Sequence, residues 1–159
     1  MSGYLLDTNV LSEVIKKRPE PSVLARLREV APGSVFTSVV CVTELRYGAR
    51  RRSGGEVLWE RIAREVLSRV RVLPFGEREA RRAGDLLADL EAAGQPIGIE
   101  DVLIGATALV GSLTVATRNV RHFRRLPGLV VESWWREARV AGVPGQSRPP
   151  PVSPMARRT

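Results

Sequence analysis

The chain holds four aspartates, two lysines, one histidine and one cysteine, and this short supply narrows the chemistry open to it. With His122 alone, no paired-histidine acid–base scheme can be built, and a histidine-based zinc site is equally out of reach. Cys41 alone forms neither an intramolecular disulfide nor a cysteine-rich zinc site. Lys16 and Lys17 are adjacent near the N-terminus and follow no glycine-rich turn, which removes a P-loop. Hydrolysis here would have to run on carboxylates and a hard, oxygen-liganded cation, most naturally Mg²⁺ or Mn²⁺.

Three acids stand out by position. Asp7 follows the apolar run Tyr4-Leu5-Leu6, which suits a buried strand, and precedes a helical pattern carrying Val10, Leu11, Val14 and Ile15. It therefore sits where a strand gives way to a helix, the edge at which active sites of open α/β sheets collect. An Asp there can equally serve only as a helix cap, and Thr8 and Asn9 are further N-cap candidates. Glu44 lies about two turns beyond Ser38, a suitable N-cap, amid apolar residues. An acid in that setting needs a partner or a metal, because a lone buried charge is costly. Arg46 or Arg50 on the same helix could be that partner. Glu100 and Asp101 open the almost wholly apolar helix that runs to Val110, where acids also suit the macrodipole. Asp85 and Asp89, among Arg81, Arg82 and Glu91, read as solvated helix acids.

The elements that must position these acids alternate in kind. Strands are expected at residues 4–6, 34–37, 69–75, 113–117 and 129–132. Helices are expected after Asp7, at 22–30, after Ser38, at 56–68, at 77–93 with Gly94 as C-cap, at 101–110 and at 133–138. Arg118 to Phe123 reads as a polar turn. This order makes an α/β protein with a mostly parallel central sheet flanked by helices. Asp7 and Asn119 would each follow the carboxyl end of a strand, and Glu44 and Asp101 would lie on helices leaving that same edge.

At 159 residues the chain is expected to be one domain over 1–141, followed from Gly142 by a Pro/Arg-rich tail, 142–159, expected to be disordered. No apolar run approaches the ~20 residues needed to span a bilayer. A strand starting within three residues leaves no room for a signal peptide, so a cytoplasmic protein is expected. The net charge is +8, and 23 of the 25 basic residues are Arg. That balance fits a polyanionic partner such as nucleic acid, although arginines on solvated helix faces would give the same sum.

Four segments carry a resemblance. Leu6 to Glu13, Val42 to Gly48, Asp101 to Ala108 and Val115 to Phe123 together are similar to the PIN-domain proteins, and more narrowly to the VapC-type toxins of bacterial type II toxin–antitoxin pairs, FitB-like relatives included. The likeness covers about residues 3–138. It implies a Mg²⁺- or Mn²⁺-dependent ribonuclease, usually dimeric, that is held inactive by a cognate VapB-like antitoxin. The family's acidic positions fall on Asp7, Glu44 and Asp101, and its accessory polar positions on Thr8, Asn9 and Thr117. A fourth acidic position is an amide here, Asn119, which removes one anionic ligand.

On that reading Asp7 and Asp101 are direct metal ligands, and Glu44 is a ligand or orients the attacking water. Asn119 ligates through its carbonyl or holds a water. Converging carboxylates repel one another, and a divalent cation would relieve this while polarising the scissile phosphate. Arg46, Arg118 and Arg121 are candidate RNA phosphate contacts. His122 is read as a surface residue, and Trp134 and Trp135 as packing for a terminal helix, with base stacking as the other possibility. The apolar early helices would offer a groove to the antitoxin's amphipathic segment. Two other classes stay open. An aspartyl-phosphate phosphatase would use Asp7 as nucleophile but lacks a second acid beside it and a distal lysine. A catalytically inactive PIN fold serving as a binding module is favoured only by Asn119.

Overall fold

The computed structural model describes residues 3–136, and among these five strands form one wholly parallel sheet in the order β3-β2-β1-β4-β5. The strands are β1 (Tyr4–Leu6), β2 (Val35–Ser38), β3 (Arg71–Leu73), β4 (Thr114–Ala116) and β5 (Val131–Glu132). The helices are α1 (Thr8–Val14), α2 (Pro21–Glu29), α3 (Val39–Arg50), α4 (Gly55–Glu65), α5 (Glu77–Ala92), α6 (Ile99–Val110) and α7 (Val120–Phe123). The α/β alternation expected from the sequence is therefore the fold, and the expected single PIN-like layering is present. The tail expected over 142–159, with residues 137–141, lies outside the described residues.

β1 is the central strand, with Leu5 paired to Phe36 of β2 on one side and to Val115 of β4 on the other. A parallel strand covered by helices on both faces must be apolar throughout, which is why Leu5 and Leu6 adjoin without alternation and are both buried. The chain first builds outward from β1 through β2 to β3, then returns to build β4 and β5 on the opposite side. That reversal leaves a crevice outside the carboxyl ends of β1 and β4, the usual ligand position in open α/β sheets.

α6 carries Val102, Ile104, Ala106 and Ala108 fully into the core. Gly105 lets the helix approach the segment after α7, because a Cβ there would fall 2.2 Å from Leu126 Cδ1. α5 ends at Ala92 with Ala93 as its C-cap, and Gly94 follows, its φ of +63° letting the N–H groups of Gly94 and Gln95 reach the carbonyls of Glu91 and Leu90.

Three local expectations change. The strand expected at 69–75 shrinks to Arg71–Leu73, because Leu67–Arg69 form a 3₁₀ turn after α4. Residues 120–123, read as polar turn, make the single turn α7. Ser133–Arg136 are irregular, not the start of a helix. Trp134 is buried, edge-on to Tyr4 with ring centroids 5.4 Å apart, whereas its neighbour Trp135 lines the crevice.

Candidate active site

Asp7 leaves β1 with its backbone still in the sheet, its N–H donating to the Ala116 carbonyl at 3.0 Å. Its side chain is buried, with the residue 5% exposed. Oδ1 accepts the Thr8 N–H at 2.8 Å, so Asp7, rather than Thr8 or Asn9, is the N-cap of α1. Oδ2 accepts from Asn9 Nδ2 at 2.8 Å and from Thr117 Oγ1 at 2.7 Å. Thr117, just past β4, is fully buried, and its hydroxyl also accepts from Asn9 Nδ2 at 3.2 Å and the Asn119 N–H at 2.9 Å. With two donors arriving, the hydroxyl commits its own proton to Asp7. Asn9 completes the lock by accepting the Arg118 N–H at 3.0 Å.

Burial pushes the Asp7 carboxyl up to about 6. The Thr117 hydroxyl and Thr8 N–H oppose the rise, and the charges of Asp101 and Glu44 add to it. Glu44, on α3, is half-buried and accepts the Thr8 hydroxyl. Its carboxyl is also raised, first by burial, with Thr8 opposing and Asp101 and Glu100 adding. Arg46 and Arg50, the partners the helix spacing offered, both bind Glu56 instead.

Asp101 stands in the first turn of α6, where its Oδ2 accepts from Asn119 Nδ2 at 3.2 Å and lies 3.0 Å from His122 Nδ1. Asn119 Nδ2 is also 2.8 Å from that imidazole nitrogen. Nδ1 can accept from the amide or donate to the carboxylate, but not both at once. His122 is therefore not the isolated surface histidine expected from the sequence, although its side chain is 42% exposed. One turn of α7 brings it back toward Asp101.

Asp7, Thr8, Asn9, Glu44, Asp101 and Asn119 line one crevice of about 400 Å³, with Arg118 and Trp135 at its rim. The Arg118 guanidinium lies 5.7 Å from the Trp135 ring centroid. Arg46 is elsewhere, forked onto Glu56 at 3.1 and 3.2 Å and stacked over Trp59. Arg121 is exposed on α7 and does not line the crevice. Sequence reasoning missed Glu13 and Lys16, which share the lining. Glu13 is buried and held by Lys16 Nζ and the Glu20 N–H, and the Lys16 bond is the main cause of its lowered pKa. The three-residue spacing of that pair across the end of α1 was the available signal.

The donors fit a hard divalent cation. An oxygen of Asp7, an oxygen of Glu44 and the Cys41 sulfur lie within 4.8 Å of one another. Burial pushes the Cys41 thiol up to about 11, so it stays protonated and is no partner for such an ion. The carboxylates of Asp7, Glu44 and Asp101, all on this crevice, are the groups that could hold one. Asp7 Oδ2 is saturated by two donors, which leaves the remaining lone pair of Oδ1 for a cation.

Residues 4–129 match the model of the PIN domain, and the chain belongs to the PIN domain family. Within it, the chain is 35% identical over 136 residues to Ribonuclease VapC2 of Haemophilus influenzae, spanning 84% of this chain and 99% of the relative. It is 36% identical over 135 residues to Toxin FitB of Neisseria gonorrhoeae, spanning 82% and 97%. The crystal structure of FitAcB from Neisseria gonorrhoeae aligns with a TM-score of 0.78 at 34% identity, covering 84% of this chain and 99% of that one. No helix among the described residues is long and apolar enough to cross a membrane.

Proposed function

We propose that this chain is a divalent-metal-dependent endoribonuclease, the toxin of a type II toxin–antitoxin pair, acting in the cytoplasm and neutralised by a cognate antitoxin. The observation that carries the reading is the convergence of Asp7, Glu44 and Asp101 on one crevice, with Asp7 locked by Thr8, Asn9 and Thr117. The names of the ribonuclease and toxin relatives support the reaction class and the role as a toxin.

Asp7 and Asp101 would hold the Mg²⁺ or Mn²⁺, and the ion would supply a Lewis acid for the scissile phosphate and acidify an attacking water. Glu44 has a raised carboxyl pKa, which makes it a better base than an ordinary glutamate for the proton of a water attacking phosphorus. Thr8 fixes that carboxylate's direction. Asn119 and His122 fix Asp101, and Thr117 and Asn9 fix Asp7, so that neither acid must reorganise during the reaction. Arg118, at the rim, and Arg121, beyond it, are suited to RNA phosphates. Arg46 would first have to leave Glu56.

The test is cleavage of end-labelled tRNA and ribosomal RNA by antitoxin-free protein with Mg²⁺ or Mn²⁺, with EDTA, and with Asp7→Asn. Discrete cuts that disappear with EDTA and in the variant are expected. An absence of cuts, together with no binding of either cation by calorimetry, would mean that the amide at Asn119 marks an inactive site.

A further inference from the structure

A second cavity, of about 350 Å³, opens beside the catalytic crevice and shares Thr8, Ser12, Lys16 and Glu44 with it. The two spaces therefore lie side by side, with these four residues bordering both. The floor of the second is apolar, built from Ile15, Leu45, Leu58 and Ile62 where α1, α3 and α4 meet. Its rim is basic, with Lys16, Lys17, Arg52 and Arg61, and the only acid in its lining is Glu44, on the shared border.

These cations differ in their commitments. Lys16 is held by Glu13, and Arg61 by Glu65. Lys17 and Arg52 are exposed and make no ion pair among the described residues. By contrast, the neighbouring Arg46 and Arg50 share a single partner, Glu56. Two cations without an ion pair among the described residues thus stand at the rim of an apolar hollow beside the acidic site.

We infer that this cavity is a nucleotide subsite, which takes a base of single-stranded RNA on its apolar floor and the adjoining phosphates on Lys17 and Arg52. The inference rests on the ribonuclease reading above. A base offers an apolar face and its flanking phosphates offer negative charge, so the two halves of the cavity match the two halves of a nucleotide. An apolar peptide would suit the floor but would leave the unpaired rim cations unused. Lys16, tethered by Glu13 on the border of both cavities, stands beside the phosphate that links the seated nucleotide to the scissile position.

Two variants test this without touching the acids. Gly48 lines the cavity, and a Cβ added there meets nothing within 4 Å. Gly48→Phe therefore fills the space with a folded chain, and circular dichroism melting checks that it does. The second variant is Lys17→Ala/Arg52→Ala. Both should raise KM for a single-stranded RNA substrate roughly tenfold while kcat changes less than twofold, and Arg78→Ala/Arg81→Ala on α5 should change neither. Binding of a fluorescein-labelled single strand in the Asp7→Asn background adds a readout independent of catalysis. Each lost phosphate contact removes about 0.7 from the slope of log K against log salt, so Lys17→Ala/Arg52→Ala should lower the slope by about 1.4. The affinity gap to the parent then narrows about sevenfold between 50 and 200 mM salt.

If the wild type cuts RNA but both variants keep its KM and its salt slope, the subsite is wrong and the ribonuclease stands. The same holds if the α5 control changes equally. If the wild type cuts no RNA, the ribonuclease reading fails and takes the subsite with it.

Discussion

Replacing Asp7 by Asn should change the stability of the metal-free protein relative to the wild type in a way that moves steadily in the variant's favour as pH rises. In the folded chain burial lifts this carboxyl from 3.8 to about 6. A carboxyl whose folded pKa is raised favours folding while protonated. Its contribution is complete below pH 3.8 and is lost as the pH climbs through about 6. The full gap is worth about 3 kcal/mol at neutral pH, and about 2 kcal/mol of it develops between pH 4.5 and 7.5. Asparagine has no such ionisation. Its amide does set an N–H₂ against donors from Thr8 or from Asn9 and Thr117, but that cost is the same at every pH and cancels when the variant–wild-type difference is followed across pH. The assay is urea or thermal unfolding of both proteins in EDTA at four pH values from 4.5 to 7.5. The difference should shift in the variant's favour by about 2 kcal/mol, or roughly 6 °C in Tm for a domain of this size. Millimolar Mg²⁺ should then stabilise the wild type at pH 7.5 and leave the variant unmoved. A difference that stays flat, or that moves in the wild type's favour as pH rises, would refute the argument that Asp7 is ionised against its surroundings.

Thr117→Val keeps the buried shape but removes the donor that holds Asp7 ionised, so the acidic limb of the pH–rate profile should move up by about one pH unit. The same change strands the Asn119 N–H and should lower unfolding free energy by roughly 1–3 kcal/mol. Gly105→Val drives a branched side chain into Leu126, and its urea midpoint should fall by the equivalent of about 3 kcal/mol. Cys41, its thiol raised by burial from 9.0 to about 11, carries roughly a hundredfold less thiolate at pH 8 than in the unfolded chain. Thiol titration with a chromogenic disulfide should thus be slow in buffer and immediate in urea.

Much of the architecture was legible because its cause is local. A short apolar run ending in Asp marks β1 and its edge, and Ser38 caps α3 as its side chain allows, accepting the Val40 N–H at 3.1 Å. The two readings of Asp7 left open by the sequence turned out to be compatible, since one oxygen caps α1 while the carboxylate still faces the crevice. What escaped sequence reasoning depends on contacts between distant residues. Only the family resemblance marked Thr117, and nothing near it announces that its hydroxyl meets Asp7 and Asn9, just as nothing near His122 announces Asp101. Glu44 looked paired to its own helix, yet the competing pull of Glu56 takes Arg46 and Arg50 away. The terminal helix expected from Ser133 is absent over Ser133–Arg136, where Trp134 is buried and Trp135 half-buried against the same core.

The sheet order also sets when the crevice can exist during synthesis. β1 is made first, but its inner neighbour β4 and the Thr117 that locks Asp7 come 110 residues later. At elongation rates of 5–20 residues per second, Asp7 waits roughly 5–20 s for its partner. Until then the emerging chain has acids without an organised site. Pairings this remote are also the slow ones to form, because the loop must close before any contact rewards it. A chain of this design therefore leaves its crevice unassembled until nearly all of the domain has been made, so a truncated translation product carries Asp7 and Glu44 yet lacks the parts that aim them.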